Sequence, residues 1–223
     1  LEVYGIKKEL FDMVRQEVLD EWERKKNEAC IKGTAKHLEK ELSFYNRDTY
    51  DFAKYGAPEH KGSFVCHQDE YNMDIERGVF PEFLVSYVSP DGELRIMGQA
   101  DCVIKDGNEL SCLDWKTNAE IKKKGYYDPR KKKVTMMKYP LNNLEDTTWN
   151  HYQMQLSCYA WMFEQRIPGI TIKHLNIVHL KDDGSEVIMP CQYLKAEVER
   201  MIKHYKKNSK VVEALERCKP IEY

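Results

Sequence analysis

Apolar residues recur at helical spacing between positions 7 and 27, where Leu10, Phe11, Val14, Val18, Leu19 and Trp22 stand among many charges, and the pattern predicts an amphipathic helix. After "ACIKG", the segment "TAKHLEKELSFY" begins with Thr34 at an N-cap position and predicts a second helix. Residues 46–80, rich in Asp, Tyr, Gly and His, show no period and predict irregular connections. "PEFLVSYV" then alternates β-type residues, "SPDGE" turns the chain, and "LRIMGQADCVI" reads as a strand. "KDGN" turns it again into "ELSCLDWKT", which completes a three-stranded meander. A lysine-rich stretch leads to "TTWNHYQMQLSCYAWMFEQ", a helix with Trp149, Tyr152, Leu156, Tyr159 and Phe163 on one side. "ITIKHLNIVHL", the turn "KDDGS" and "EVIMP" predict a second hairpin, and "LKAEVERMIKHYKKNSKVVEALERC" a charged closing helix. The order α-βββ-α-ββ-α predicts the α/β class, with a mixed central sheet of about five strands flanked by helices.

A chain of 223 residues supports one well-buried core, so residues 1–223 are expected to form a single domain with a basic insertion at about 119–146. Hydrophobic residues at 42% and charged residues at 32% describe a globular chain with a polar surface, and no apolar run reaches bilayer length. No membrane partner is expected. A net charge of −2 excludes a polycation, so contact with nucleic acid must come from local basic clusters. The seven cysteines, spread from Cys30 to Cys218 without a C-x-x-C pair, read as buried thiols and suggest neither a disulfide framework nor zinc. The opening segment has no basic region followed by an apolar stretch, so it does not read as a signal peptide, and its start at Leu suggests a trimmed chain. A cytoplasmic or otherwise intracellular reducing compartment is the default expectation.

The chemistry concentrates in "GQADCVIKDGNELSCLDWKTN". Side chains alternate along a strand, so Asp114 and Lys116 share one face while Leu113 and Trp115 point to the other, which suits a core. A turn of two or four residues around Asp106 and Gly107 puts Asp101 on the face of Asp114, directly opposite it with a four-residue loop, whereas three residues would separate them. Two carboxylates that close repel, a cost that a divalent cation removes, and Mg²⁺ is the natural candidate. Lys116 beside them could orient or deprotonate a water and offset charge building on a phosphate. Taken alone, the three residues fit a solvated face with cross-strand salt bridges equally well.

G-x-x-D, a turn and then D-x-K at this separation resembles the PD-(D/E)XK nuclease superfamily, and "GQAD…LDWKTN" is similar to its RecB-type exonuclease branch. "GTAKHLEKE" resembles the branch's upstream helix signature, carried by Gly33, Thr34, His37 and Glu41. "PEFLV" resembles its acidic first strand, with Glu82 in the usual place, and "QLSCY" its downstream Q-x-x-x-Y motif, carried by Gln155 and Tyr159. These elements fall in the family's order between residues 22 and 163. The resemblance implies a restriction-endonuclease-like core and a Mg²⁺ or Mn²⁺ site held by His37, Asp101, Asp114 and the backbone carbonyl of Trp115. It further implies catalytic roles for Asp101, Asp114, Lys116 and Glu82, and contact of Gln155 and Tyr159 with the substrate strand or the lysine.

Two departures bear on function. Some members carry an iron-sulfur cluster on one upstream and three clustered C-terminal cysteines. Cys30 fits the first position, but only Cys191 and Cys218 follow the last motif and they lie far apart, so no cluster is expected. The segment between the lysine strand and the Gln155 helix is long, and interleaves Lys131, Lys132, Lys133 and other cations with Tyr126 and Tyr127, a mixture that suits a backbone-tracking strip with stacking platforms for unpaired bases. A solvated charged loop is the alternative. The expected function is a metal-dependent DNA exonuclease acting on free ends in recombination, repair or replication. A structure-selective endonuclease, an RNA nuclease and a catalytically silent nucleic-acid-binding module are the other readings.

Overall fold

A computed structural model of the protein describes residues 8–45, 64, 66 and 76–217. Its register is set by a tight turn between β2 (Arg95–Asp106) and β3 (Glu109–Lys116). Asp106 pairs with Glu109 across a two-residue loop that begins at Gly107, whose φ of 56° suits a residue without a Cβ. β1 (Arg77–Val88) pairs antiparallel with the other edge of β2. β3 cannot find its second neighbour through a short loop, because β6 (Thr171–Leu180) runs parallel to it and a parallel pair needs a crossover. The helix α2 (Thr148–Arg166) supplies that crossover, and β7 (Glu186–Pro190) folds back on β6. The result is a five-stranded mixed sheet in the order β1-β2-β3-β6-β7, flanked by helices, as the element order predicts.

Each face of the sheet has its own core. On one, Phe80, Phe83, Ala100, Val103 and Cys112 pack against Leu156, Ala160 and Phe163 of α2 and Val198 of α3 (Lys195–Arg217). On the other, Cys102, Leu113, Trp115 and Val178 meet Phe44 of α1 (Lys8–Tyr45), whose ring stacks on Trp115 at a centroid distance of 6.2 Å. Trp115 is fully buried there, as alternation requires. The start of α2 is fixed by Thr147, whose hydroxyl accepts the Asn150 N–H at 3.0 Å.

Three local expectations change. The two N-terminal helices are one continuous α1, and Thr34 is an interior residue and not a cap. A lone interior glycine costs only about 1 kcal/mol, too little to break a helix supported by pairs such as Glu21–Arg24 at 2.8 Å and Glu23–Lys26 at 3.2 Å. The apolar stripe of the N-terminal half of α1 stays on the surface: Leu10, Val14 and Trp22 are 50%, 49% and 65% exposed. β1 also begins at Arg77, ahead of the expected strand, because Val79 and Phe80 pair with Ile104 and Val103 and bury fully. The irregular connection expected before it falls largely on residues 46–75, which, apart from 64 and 66, lie outside the described residues, as does Cys218.

The basic insertion is folded. β4 (Tyr127–Asp128) pairs with β5 (Lys133–Val134), and the segment is tied to the body where Lys122 N–H donates to Thr148 Oγ1 at 2.8 Å and Arg200 of α3 to Asn143 Oδ1 at 2.6 Å. Among the described residues no helix is long and apolar enough to cross a membrane.

Candidate metal centre

Strict strand alternation fails at one level of the sheet, and the acids stand there. On β1, Val79 faces the α1 side and Phe80 the α2 side, yet past Glu82 both Phe83 and Val85 face α2. β2 slips at the same level: Cys102 and Ile104 face α1, whereas Ala100 faces α2. The ladder steps from Pro81–Cys102 to Phe83–Ala100 and leaves out Glu82 and Asp101. Glu82 takes a φ of 50°, a left-handed conformation that costs a residue with a side chain about 1 kcal/mol or more. Carrying the β2–β3 register one step past Cys102–Leu113 places Asp101 opposite Asp114. Glu82, Asp101 and Asp114 thus stand side by side on three adjacent strands.

Freed from the ladder, the Asp101 carboxylate accepts the Trp115 N–H on Oδ2 at 2.6 Å, while its Oδ1 lies 3.5 Å from Nδ1 of His37 on α1. His37, Glu82 and Asp101 each offer one ligand atom within 4.8 Å of the others. One imidazole nitrogen and two carboxylates form a donor set suited to a hard or borderline divalent cation such as Mg²⁺ or Mn²⁺. Asp114 stands beside this group, with Oδ2 paired to the Lys116 ammonium, and its Oδ1 is buried with no hydrogen-bond donor among the described residues.

The electrostatics match that crowding. Burial, and then the Asp101 charge, push the Asp114 carboxyl up to about 6, against the opposing pull of Lys116 and His37. His37 is raised by its hydrogen bond to Asp101 and by the charges of Asp101 and Glu82, while burial and Lys116 oppose the rise. Protons therefore linger on the groups that a cation would need bare.

Some expected site residues gather here and others do not. Gln155 donates to the Tyr159 hydroxyl at 2.8 Å and does not pair with Lys116. The Tyr159 ring lies against Gly98, where a Cβ would come within 2.4 Å of Cε1, so this position of "GQAD" admits only glycine without repacking. Tyr126 and Tyr127 are 70% and 54% exposed. Lys131 is paired with Asp128 at 3.5 Å, Lys132 takes a φ of 48°, and Lys133 lies in β5. Tyr152, on the apolar side of the helix pattern, packs against the core, and its ring also lies beneath Lys116, with Nζ 4.7 Å from the centroid. Its place one turn before Gln155 on the same helix face is the signal that points to it.

Fold and site together define an α/β protein with a His-carboxylate group that could hold a metal ion, beside a buried Asp114 paired with Lys116. No family model and no curated protein matches the chain. Among solved structures it is similar to the crystal structure of SSO0001, at 19% identity over 58% of this chain and 49% of that one, with a TM-score of 0.33. It is also similar to a structure from Eubacterium rectale described as a candidate exonuclease, at 14% identity over 84% of this chain and 62% of that one, with a TM-score of 0.38. The chain spans less than two thirds of either structure. Likenesses at this level assign no activity, and the functional reading rests on the site.

Proposed function

We propose that the protein is a Mg²⁺- or Mn²⁺-dependent nuclease of the RecB-type PD-(D/E)XK kind, acting as an exonuclease on free DNA ends. The observation that carries this reading is the convergence of His37, Glu82 and Asp101 within 4.8 Å, from a helix and two strands, next to Asp114 and Lys116. The sequence signature requires the same residues in the same order.

In this reading His37, Asp101, Asp114 and the Trp115 carbonyl hold the cation, with Glu82 beside it as a ligand or in its water network. A divalent cation held there would supply Lewis-acid polarisation of the scissile phosphate and a more acidic water near neutral pH. Lys116 orients the attacking water and offsets charge growing on the phosphate, while Asp114 anchors its ammonium. Asp101, tied to the Trp115 backbone, keeps β2 and β3 at the separation the site needs. Gln155 and Tyr159 border the substrate strand, Lys131, Lys132 and Lys133 track its phosphates, and Tyr126 and Tyr127 offer faces to unpaired bases.

The test is cleavage of end-labelled linear single- and double-stranded DNA with Mg²⁺ or Mn²⁺, against the same sequence as a covalently closed circle. Linear DNA should be shortened progressively with small products early, EDTA should stop the reaction, and the circle should survive. A circle cut at a comparable initial rate replaces the exonuclease with an endonuclease. No cleavage of DNA or RNA with either metal leaves a silent binding module.

A further inference from the structure

We infer that Tyr152 is a positioning residue that fixes the Lys116 ammonium in front of Asp114, and that Asn118 and His179 hold Tyr152 in place. The inference deepens the nuclease reading and rests on it for its kinetic consequence, though not for the geometry. Lys116 is ion-paired with Asp114, and its Nζ lies over the Tyr152 ring, 4.7 Å from the centroid. A lysine is a point charge on a flexible four-carbon stem, so one ion pair fixes a distance and leaves the direction free. An aromatic face as a second contact of the ammonium narrows that freedom, because the ring quadrupole attracts it.

Tyr152 is itself locked. Its hydroxyl donates to Asn118 Oδ1 at 2.5 Å, and the Asn118 carbonyl lies 2.6 Å from Nε2 of His179. A carbonyl only accepts, so that nitrogen carries the proton. His179 is 8% exposed and stands in register with Lys116 on β6. The turn leaving β3 is therefore pinned from α2 through the Asn118 side chain and from β6 through its backbone. Gln155, which with Tyr159 the resemblance implies at the substrate strand or the lysine, is bonded to Tyr159.

Two readouts test this. In lysine-labelled protein with EDTA, the Lys116 ε-methylene signals, assigned by their loss in Lys116→Ala, should be shifted upfield by the ring current. Tyr152→Leu should abolish the shift, whereas Tyr152→Phe, which keeps the ring but loses the bond to Asn118, should reduce it. In the nuclease assay Tyr152→Leu should lower kcat about tenfold to a hundredfold, the scale of loss when a reacting group is misplaced by about 1 Å, with KM and Mn²⁺ affinity unchanged. Tyr152→Phe, which keeps the ring without its bond to Asn118, should recover part of that loss. Should Tyr152→Leu fail to fold, Asn118→Ala, which frees the exposed end of the clamp, should weaken the same shift. Wild-type signals at ordinary positions, or a shift that survives loss of the ring, overturn the clamp. An unchanged kcat in folded Tyr152→Leu overturns its role in positioning. If wild-type protein cleaves nothing, the nuclease reading fails and the spectra still decide the clamp.

Discussion

At Asp114 burial and charge act against each other. Its carboxyl is pushed up to about 6 by desolvation and by Asp101, above the roughly 3.9 of an unfolded aspartate. The fold thus favours the protonated form, and stability falls as pH rises between about 4 and 6 and stays reduced above. Asp114→Asn should therefore melt higher than wild type at pH 7.5 in EDTA, with the gap closing below about pH 4; a thermal melt series decides it, and a less stable variant at pH 7.5 would show the Lys116 pair outweighing burial. His37 has a raised folded value, so its contribution is full below the unfolded pKa and is lost as pH rises through the folded one. A cation held by these groups would reverse both trends, since it would need them bare and would release their protons on binding. Mn²⁺ affinity, measured by titration calorimetry, should rise between about pH 5.5 and 7.5 and vanish in Asp101→Ala. Lys116→Ala should keep Mn²⁺ and DNA binding while turnover falls by about 10²–10⁴, the usual weight of a general acid or base; near-normal turnover would take Lys116 out of the mechanism.

Two glycines separate the demands of strand and helix. At Gly98 a methyl group would meet the Tyr159 ring at 2.4 Å, so Gly98→Ala should destabilise by about 1–3 kcal/mol through overpacking. At Gly33 the nearest atom is Thr117 Oγ1 at 3.6 Å, an ordinary contact in the middle of α1. Gly33→Ala should stabilise by up to about 1 kcal/mol, because alanine loses less entropy in a helix. Denaturant melts of the pair test the continuity of α1 directly. If the helix broke before Thr34, the second substitution would bring no gain.

Across the whole molecule, the site lies where α1 meets β1, β2 and β3, and the basic insertion leaves the sheet beside it at the end of β3. Hydrogen bonds at Lys122 and Asn143 tie the two ends of the insertion to α2 and α3. Neutralising Lys131, Lys132 and Lys133 together should weaken DNA binding evenly across sequences and flatten the slope of log affinity against log salt by up to about 0.7 per lost phosphate contact on single strands. An unaltered slope would return the segment to a solvated loop. Lys131 already spends part of its charge on Asp128, so its share of the change should be the smallest.

Local rules carried much of this into the sequence. Period-two and helical spacing mark the strands and helices because they depend on neighbouring residues alone, and Gly107 marks the turn that sets Asp101 against Asp114. The acids, Lys116 and His37 were legible as a chemical set for the same reason: each stands in a short motif. What the tertiary structure decided are contacts between residues far apart in the chain. Asp101 leaves the β-ladder where its carboxylate meets the Trp115 N–H and His37, Glu82 opposite it leaves the ladder at the same step, and no strand pattern encodes that slip. Tyr152, and not Gln155, meets Lys116 because the rotation of α2 over the sheet is set by packing in the Leu156 and Phe163 core, where side-chain volumes from both layers must interlock at once.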